Sequence, residues 1–142
     1  MATGLREART GRTFVGRLPT GSDLVEEIER FAAEQELRAA WVSAVGALSR
    51  AAFAYYNQTI RQYKEMASPR HHELFGFVGN LSMRDGRPFL HAHAGFADIN
   101  GEPLGGHLLK GCVVWVAEVE IRELIAVELV RELDEMTGLA LW

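Results

Sequence analysis

Two turn signals bracket an alternating run, and together they constrain this chain more than anything else in it. From Pro88 to Asp98 the even positions carry Leu90, Ala92, Ala94 and Phe96, while the odd positions carry Phe89, His91, His93, Gly95 and Ala97. Successive strand residues face opposite ways, so this is a strand with one apolar face and one histidine face. Asp85-Gly86 before it is the dipeptide favoured by a two-residue type I′ hairpin, in which both central residues need positive φ. That turn sets Leu90 across from Leu81, Ala94 from Phe77 and Phe96 from Phe75. On the other face it sets Asn80 opposite His91 and Val78 opposite His93.

After the strand, Ile99-Asn100-Gly101 reads as a three-residue loop with Gly101 in the left-handed position, which places His107 directly across from His93. A two-residue Asn100-Gly101 turn would instead send His107 to the opposite face, unless a bulge at Gly105-Gly106 restored it. The three-residue register also brings Leu104 opposite Phe96 and Leu108 opposite Ala92, on the apolar face. His91, His93 and His107 then share one face. Three convergent imidazoles are a common zinc ligand set that leaves a further position open, so the expected ligand is a divalent metal, zinc first. Asn80 is expected to orient an imidazole from behind. Ligation needs neutral imidazole, so occupancy should fall below about pH 6.5.

The remaining sequence is read in chain order. Residues 1–10 form a basic tail and 11–142 a single domain, since 142 residues suffice for one sizeable core. Arg12 to Leu18 is a short strand ended by Pro19-Thr20-Gly21. Asp23 opens a helix over Leu24 to Gln35 with the stripe Leu24, Ile28, Phe31 and Ala32, and Glu26 and Arg30 are spaced for an exposed pair. Ala39 to Leu48 suits a buried strand, and Phe53–Tyr56 and Thr59–Tyr63 are further strands or one bent pair. Leu74 to Arg84 is the strand before the Asp85-Gly86 turn. His71 and His72, adjacent in sequence, cannot both join one strand-face site. From Cys112 to about Glu123 a strand puts Val113, Trp115, Ala117, Val119 and Ile121 on one face. Residues 125–136 fit a helical stripe (Ile125, Leu129, Leu133, Met136) or a strand (Ile125, Val127, Leu129).

Composition bounds the function. The net charge of −4 gives no basic footprint for the whole domain, and only Arg6, Arg9, Arg12 and Arg17 make a basic stretch that could touch DNA. The single cysteine, Cys112, excludes an internal disulfide and a cysteine-based metal site. No run approaches the ~18 apolar residues of a membrane span, so no membrane contact is expected and a cytoplasmic location is the default. Gly86-Arg87-Pro88 is similar to the core of an AT-hook, but it lies inside the hairpin and is read as turn chemistry.

The chain resembles the PPC domain, named for plants and prokaryotes. The resemblance covers about Gly11 to Leu141. It rests on Gly16-Arg17-Leu18-Pro19 with Gly21-Ser22-Asp23-Leu24, then Ala44-Val45-Gly46-Ala47-Leu48, Gly79-Asn80-Leu81, His91-Ala92-His93 and Gly105-Gly106-His107-Leu108. It implies an α+β fold in which a curved, mostly antiparallel β-sheet packs with one main amphipathic helix. It also implies a homotrimer, a metal at the histidines, and the family's DNA-binding label. In the plant relatives an AT-hook contacts DNA; this chain has none, which leaves the assembling part. Two readings follow: a homotrimeric metal-binding assembly or regulatory module with weak DNA contact, or a hydrolase-like metal-dependent enzyme acting on an unknown small molecule. The enzyme would need a general base, and Glu73, Asp98, Glu102 and Glu118 are the candidates.

Overall fold

Strand β2 (Ala40–Asn57) is the spine of the molecule, long enough to pair with four other strands. The computed structural model describes residues 4–142, so the first three residues of the expected basic tail lie outside the described residues. In chain order the elements are β1 (Arg9–Arg17), α1 (Leu24–Glu34), β2, β3 (Gln62–Ser68), β4 (His72–Arg84), β5 (Arg87–Ala97), β6 (Pro103–Leu108), β7 (Val113–Ile125), β8 (Glu132–Asp134) and β9 (Leu139–Leu141). The fold is α+β, mostly antiparallel strand with one helix among the described residues.

Along one side of β2 run β3 and β4, and along the other run β6 and β7. Because β4 pairs β5, β5 pairs β6, and β6 returns to β2 at Phe53 and Ala54, the pairings close a ring. Closure leaves fewer unpaired strand edges. Strand β1 extends the sheet beyond β7. Gly46 allows the close approach of β2 to β7: a Cβ there would lie 2.0 Å from the Val116 carbonyl oxygen.

Helix α1 lies over the inner face, packed on β5 and β7. Asp23 caps it, with Oδ1 accepting from the N–H groups of Val25 and Glu26. Such a cap contributes about 1 kcal/mol. The other oxygen accepts from the Gly111 N–H and so ties the helix start to the β6–β7 loop. Leu24, Val25, Ile28 and Ala32 are buried, and burying each large one contributes roughly 1.5–3 kcal/mol. The expected Glu26–Arg30 pair does not form. Arg30 binds Glu27 and Glu34, and Glu26 faces Lys110.

Both turns around β5 have the expected form. Asp85 (φ 51°) and Gly86 (φ 75°) make the first, and Gly101 (φ 76°) ends the second, where Asp98 Oδ1 accepts from Asn100 and Glu102. Two register expectations fail: Phe96 pairs with Leu74, not Phe75, and Ala94 does not pair with Phe77, because the ladder shifts between Phe75 and Val78. Gly76 at φ 58° accommodates this bulge. Leu74 thereby enters the core, and Phe75 swings out over Gly95, whose Cβ would meet its ring at 2.5 Å.

Three other expectations differ from the structure. The Phe53–Tyr56 segment is the far end of β2, and Thr59–Arg61 lie in the turn to β3. In β7 the core face changes partway: Val114 is buried and Trp115 is exposed, while Ala117, Val119 and Ile121 face inward as expected. The ladder slips between Ala47 and Leu48, where a one-residue offset exchanges faces. Neither alternative for residues 125–136 holds. Beyond Ile125 the chain leaves the sheet, docks Leu129 and Arg131 on Met83 through two backbone hydrogen bonds of 2.8 Å, and forms the β8–β9 hairpin. No helix among the described residues is long and apolar enough to cross a membrane.

Candidate metal centre

The second and third hairpin strands deliver the three imidazoles. His91 and His93 are two apart on β5, and His93 pairs directly with His107 on β6. Ring centroids are 5.3 Å apart for His91–His93, 5.2 Å for His91–His107 and 5.5 Å for His93–His107. One nitrogen from each can be chosen so that all lie within 4.8 Å of one another. A tetrahedral centre with Zn–N of about 2.0–2.1 Å needs nitrogens ~3.3 Å apart, which small side-chain rotations supply. Among the described residues none of the three rings hydrogen-bonds to protein, so their nitrogens are free to ligate. The donor set therefore fits a divalent metal.

Electrostatics favour the neutral rings that a metal needs. Burial pushes His91 down to about 4, with the Arg131 charge and the neighbouring imidazoles adding to it. Burial likewise pushes His107 down to about 4, helped by His93 and Arg131. His107 also packs against Tyr63, ring centroids 5.0 Å apart, and partial burial raises that phenol's pKa.

Asn80 is buried opposite His91. Its Oδ1 accepts from Arg131 at 3.0 Å and from the Trp142 indole at 3.4 Å. Arg131 is the residue that sequence reasoning missed. It also donates to Ser82 Oγ at 2.7 Å and to the Ala140 carbonyl at 2.8 Å, and its guanidinium lies 5.4 Å from the Phe89 ring centroid. The available signal was weak: one arginine between Leu129 and Leu133, in a stretch of unsettled structure.

The other candidates lie elsewhere. His71 stacks on Trp115 at 6.3 Å, and His72 is buried near Phe96. Neither belongs to the three-imidazole group. Arg12 grips Glu123 through two nitrogens and also donates to the Gln35 carbonyl, holding Glu123 down to about 2. Arg6 donates to the Glu128 carbonyl. Arg9 and Arg17 stand exposed at the two ends of β1. Of the candidate bases, Glu73 and Asp98 line a hollow with His71 and His72, Glu102 follows the β5–β6 turn, and Glu118 is on β7.

A ring of antiparallel strands capped by one helix, with three histidines on two adjacent strands, defines a small α+β domain with a candidate metal site. The chain belongs to the Plants and Prokaryotes Conserved (PCC) domain family, whose model matches residues 5–125. It is similar to the crystal structure of a metal-containing protein from Archaeoglobus fulgidus, with 37% identity, a TM-score of 0.94 and 99% of each chain covered. A plant- and prokaryote-conserved (PPC) protein from Pyrococcus horikoshii matches with 34% identity and a TM-score of 0.91, covering 100% of this chain and 96% of that one. The Bifunctional protein GlmU of Synechococcus sp. (strain JA-3-3Ab) is 36% identical over 129 residues, 89% of this chain. The chain spans only 20% of that relative's length.

Proposed function

We propose that this chain is a homotrimeric metal-binding module of the PCC family, with assembly or regulation as its role and His91, His93 and His107 as the ligands of one divalent metal, zinc first. The observation that carries the reading is the convergence of three imidazole nitrogens within 4.8 Å on two paired strands. The metal-containing protein from Archaeoglobus fulgidus, similar over nearly its whole length, supports it.

Self-association is supported by the outer sheet face. Across β1, β7, β2, β4 and β5 one row runs Val15, Glu120, Ser43, Val78 and His93, with Val45 beside it on β2. Val15 is 80% exposed, Val78 60% and Val45 57%. A second copy would remove this apolar surface from water. In the Synechococcus relative, a segment like this chain is a minor part of a longer protein, which suits a module joined to other functions.

The DNA contact in this reading is weak. Arg12 and Arg6 are already engaged within the chain, which leaves Arg9 and Arg17 of the four, against a net charge of −4. The enzymatic alternative needs a general base near the metal, and among the described residues no carboxylate lines the cavity beside the imidazoles. Binding is therefore preferred over catalysis, and the single domain is taken to run over 11–142. Elemental analysis of the purified protein tests the core of the reading. About one metal per chain is expected, and no metal after both purification and zinc titration would end it.

A further inference from the structure

Beside the three imidazoles lies a cavity of about 230 Å³, shared by His91, His107, Tyr63, Phe89, Arg84 and Arg131 and closed on one side by β9. Its charge is one-sided. Two guanidinium groups sit on the same ring, Arg84 at 5.1 Å and Arg131 at 5.4 Å from the Phe89 centroid. Among the described residues, no acidic side chain lines the cavity. Arg84 has one ion pair among the described residues, with Asp85, 3.8 Å away with its side chain 92% exposed, a pair that solvent largely screens. Arg131 is held by neutral partners alone, Ser82, Asn80 and Ala140. Those three bonds use three of its five N–H donors and fix the plane of the guanidinium.

Two like charges lining one cavity without a counter-ion cost free energy, and such arrangements cluster at binding sites. Arg131 shows the cost: its pKa is lowered by burial first and then by the Arg84 charge. A metal held by the histidines would add further positive charge to the same cavity.

We infer that Arg84 and Arg131 bind a small oxyanion, a carboxylate or phosphate group, in the cavity they share with His91 and His107. The inference rests on the metal reading of the histidines and names the class of ligand that the site takes. Guanidinium forks match both groups in geometry and charge. A cavity of this size, below that of a drug-sized pocket, limits the ligand to a small molecule or the end of a larger one.

Cobalt-loaded protein tests this, because its visible spectrum responds to a new ligand at or near the metal. Inorganic phosphate, acetate and the neutral control acetamide would be titrated separately. Saturable change with phosphate, acetate or both, and none with acetamide, is the expected result, and the stronger of the two oxyanions identifies the source. Arg84→Gln and Arg131→Gln should each raise the dissociation constant roughly tenfold or more, about 1.4 kcal/mol, with cobalt content unchanged. Arg84 is partly exposed, so its variant stands even where loss of Arg131 disturbs folding. Cobalt uptake without an oxyanion response, or equal affinity in Arg84→Gln, overturns this inference and leaves the metal reading intact. Failure to take up cobalt at all overturns both.

Discussion

His93 and His107 are direct cross-strand partners, with ring centroids 5.5 Å apart at an interplanar angle of 83°. Their pairing depends on the turn that ends at Gly101, since a one-residue change of register would put the two rings on opposite faces.

Metal content should follow the three histidines individually. His91→Ala, His93→Ala and His107→Ala should each lower the bound metal sharply, whereas His71→Ala and His72→Ala should leave it near one per chain. Elemental analysis of the five variants reads the difference. A full complement of metal in any of the first three would remove that residue from the ligand set.

The metal-free protein should lose stability as the solution is acidified. His91 and His107 have pKa values of about 4 in the folded chain against 6.5 for an ordinary imidazole, so the unfolded chain binds more protons between those values. Stability rises with pH wherever that holds, so it should fall from about pH 6.5 to about pH 4 and gain little further slope from these groups below that. Chemical denaturation across that window after chelation checks it. A His91→Ala, His107→Ala double variant with the same pH slope as the parent would count against it. The same lowering means that proton competition with a metal at these two rings sets in below the ordinary imidazole range.

In solution the protein should have the mass of about three chains by light scattering coupled to size exclusion. Val45→Asp and Val78→Asp place a charge on the open sheet face and should shift the mass toward one chain while the circular dichroism is retained. A parent that is monomeric at micromolar concentration would refute the trimer, and a trimer indifferent to both substitutions would move the interface elsewhere.

DNA affinity of this chain alone should be weak, without sequence preference, and should fade with added salt as counterions compete for the phosphates. Arg9→Ala with Arg17→Ala should remove most of it, and Arg12→Ala should act mainly through stability, because Arg12 binds Glu123. Nanomolar, sequence-dependent binding at physiological salt is the outcome that contradicts this.

Gly46→Ala should destabilise the fold by about 1–3 kcal/mol or more, as overpacking does. The added methyl would sit 2.0 Å from the Val116 carbonyl oxygen, and the three nearest atoms are all β7 backbone, which limits relaxation. Thermal unfolding of the variant beside Gly16→Ala, where an added Cβ meets nothing within 4 Å, separates the clash from a general cost of losing glycine.

The sequence by itself determined what local rules govern: helix α1 with its Asp23 cap, both turns around β5, the His93–His107 register and the shared histidine face. Each follows from side-chain period or from a turn that only a few residues can make. Tertiary structure alone decided the rest. The bulge at Gly76 exchanged Leu74 for Phe75 in the core, and the slip between Ala47 and Leu48 turned Trp115 outward; both depend on how neighbouring strands fit, which no single-strand pattern records. Most of all, Arg131 comes from a tail with two competing periods and reaches the imidazoles only because that tail docks on Met83. A long-range contact of this kind is set by the packing of the finished core, and the residues that make it carry no mark of their partner in the chain.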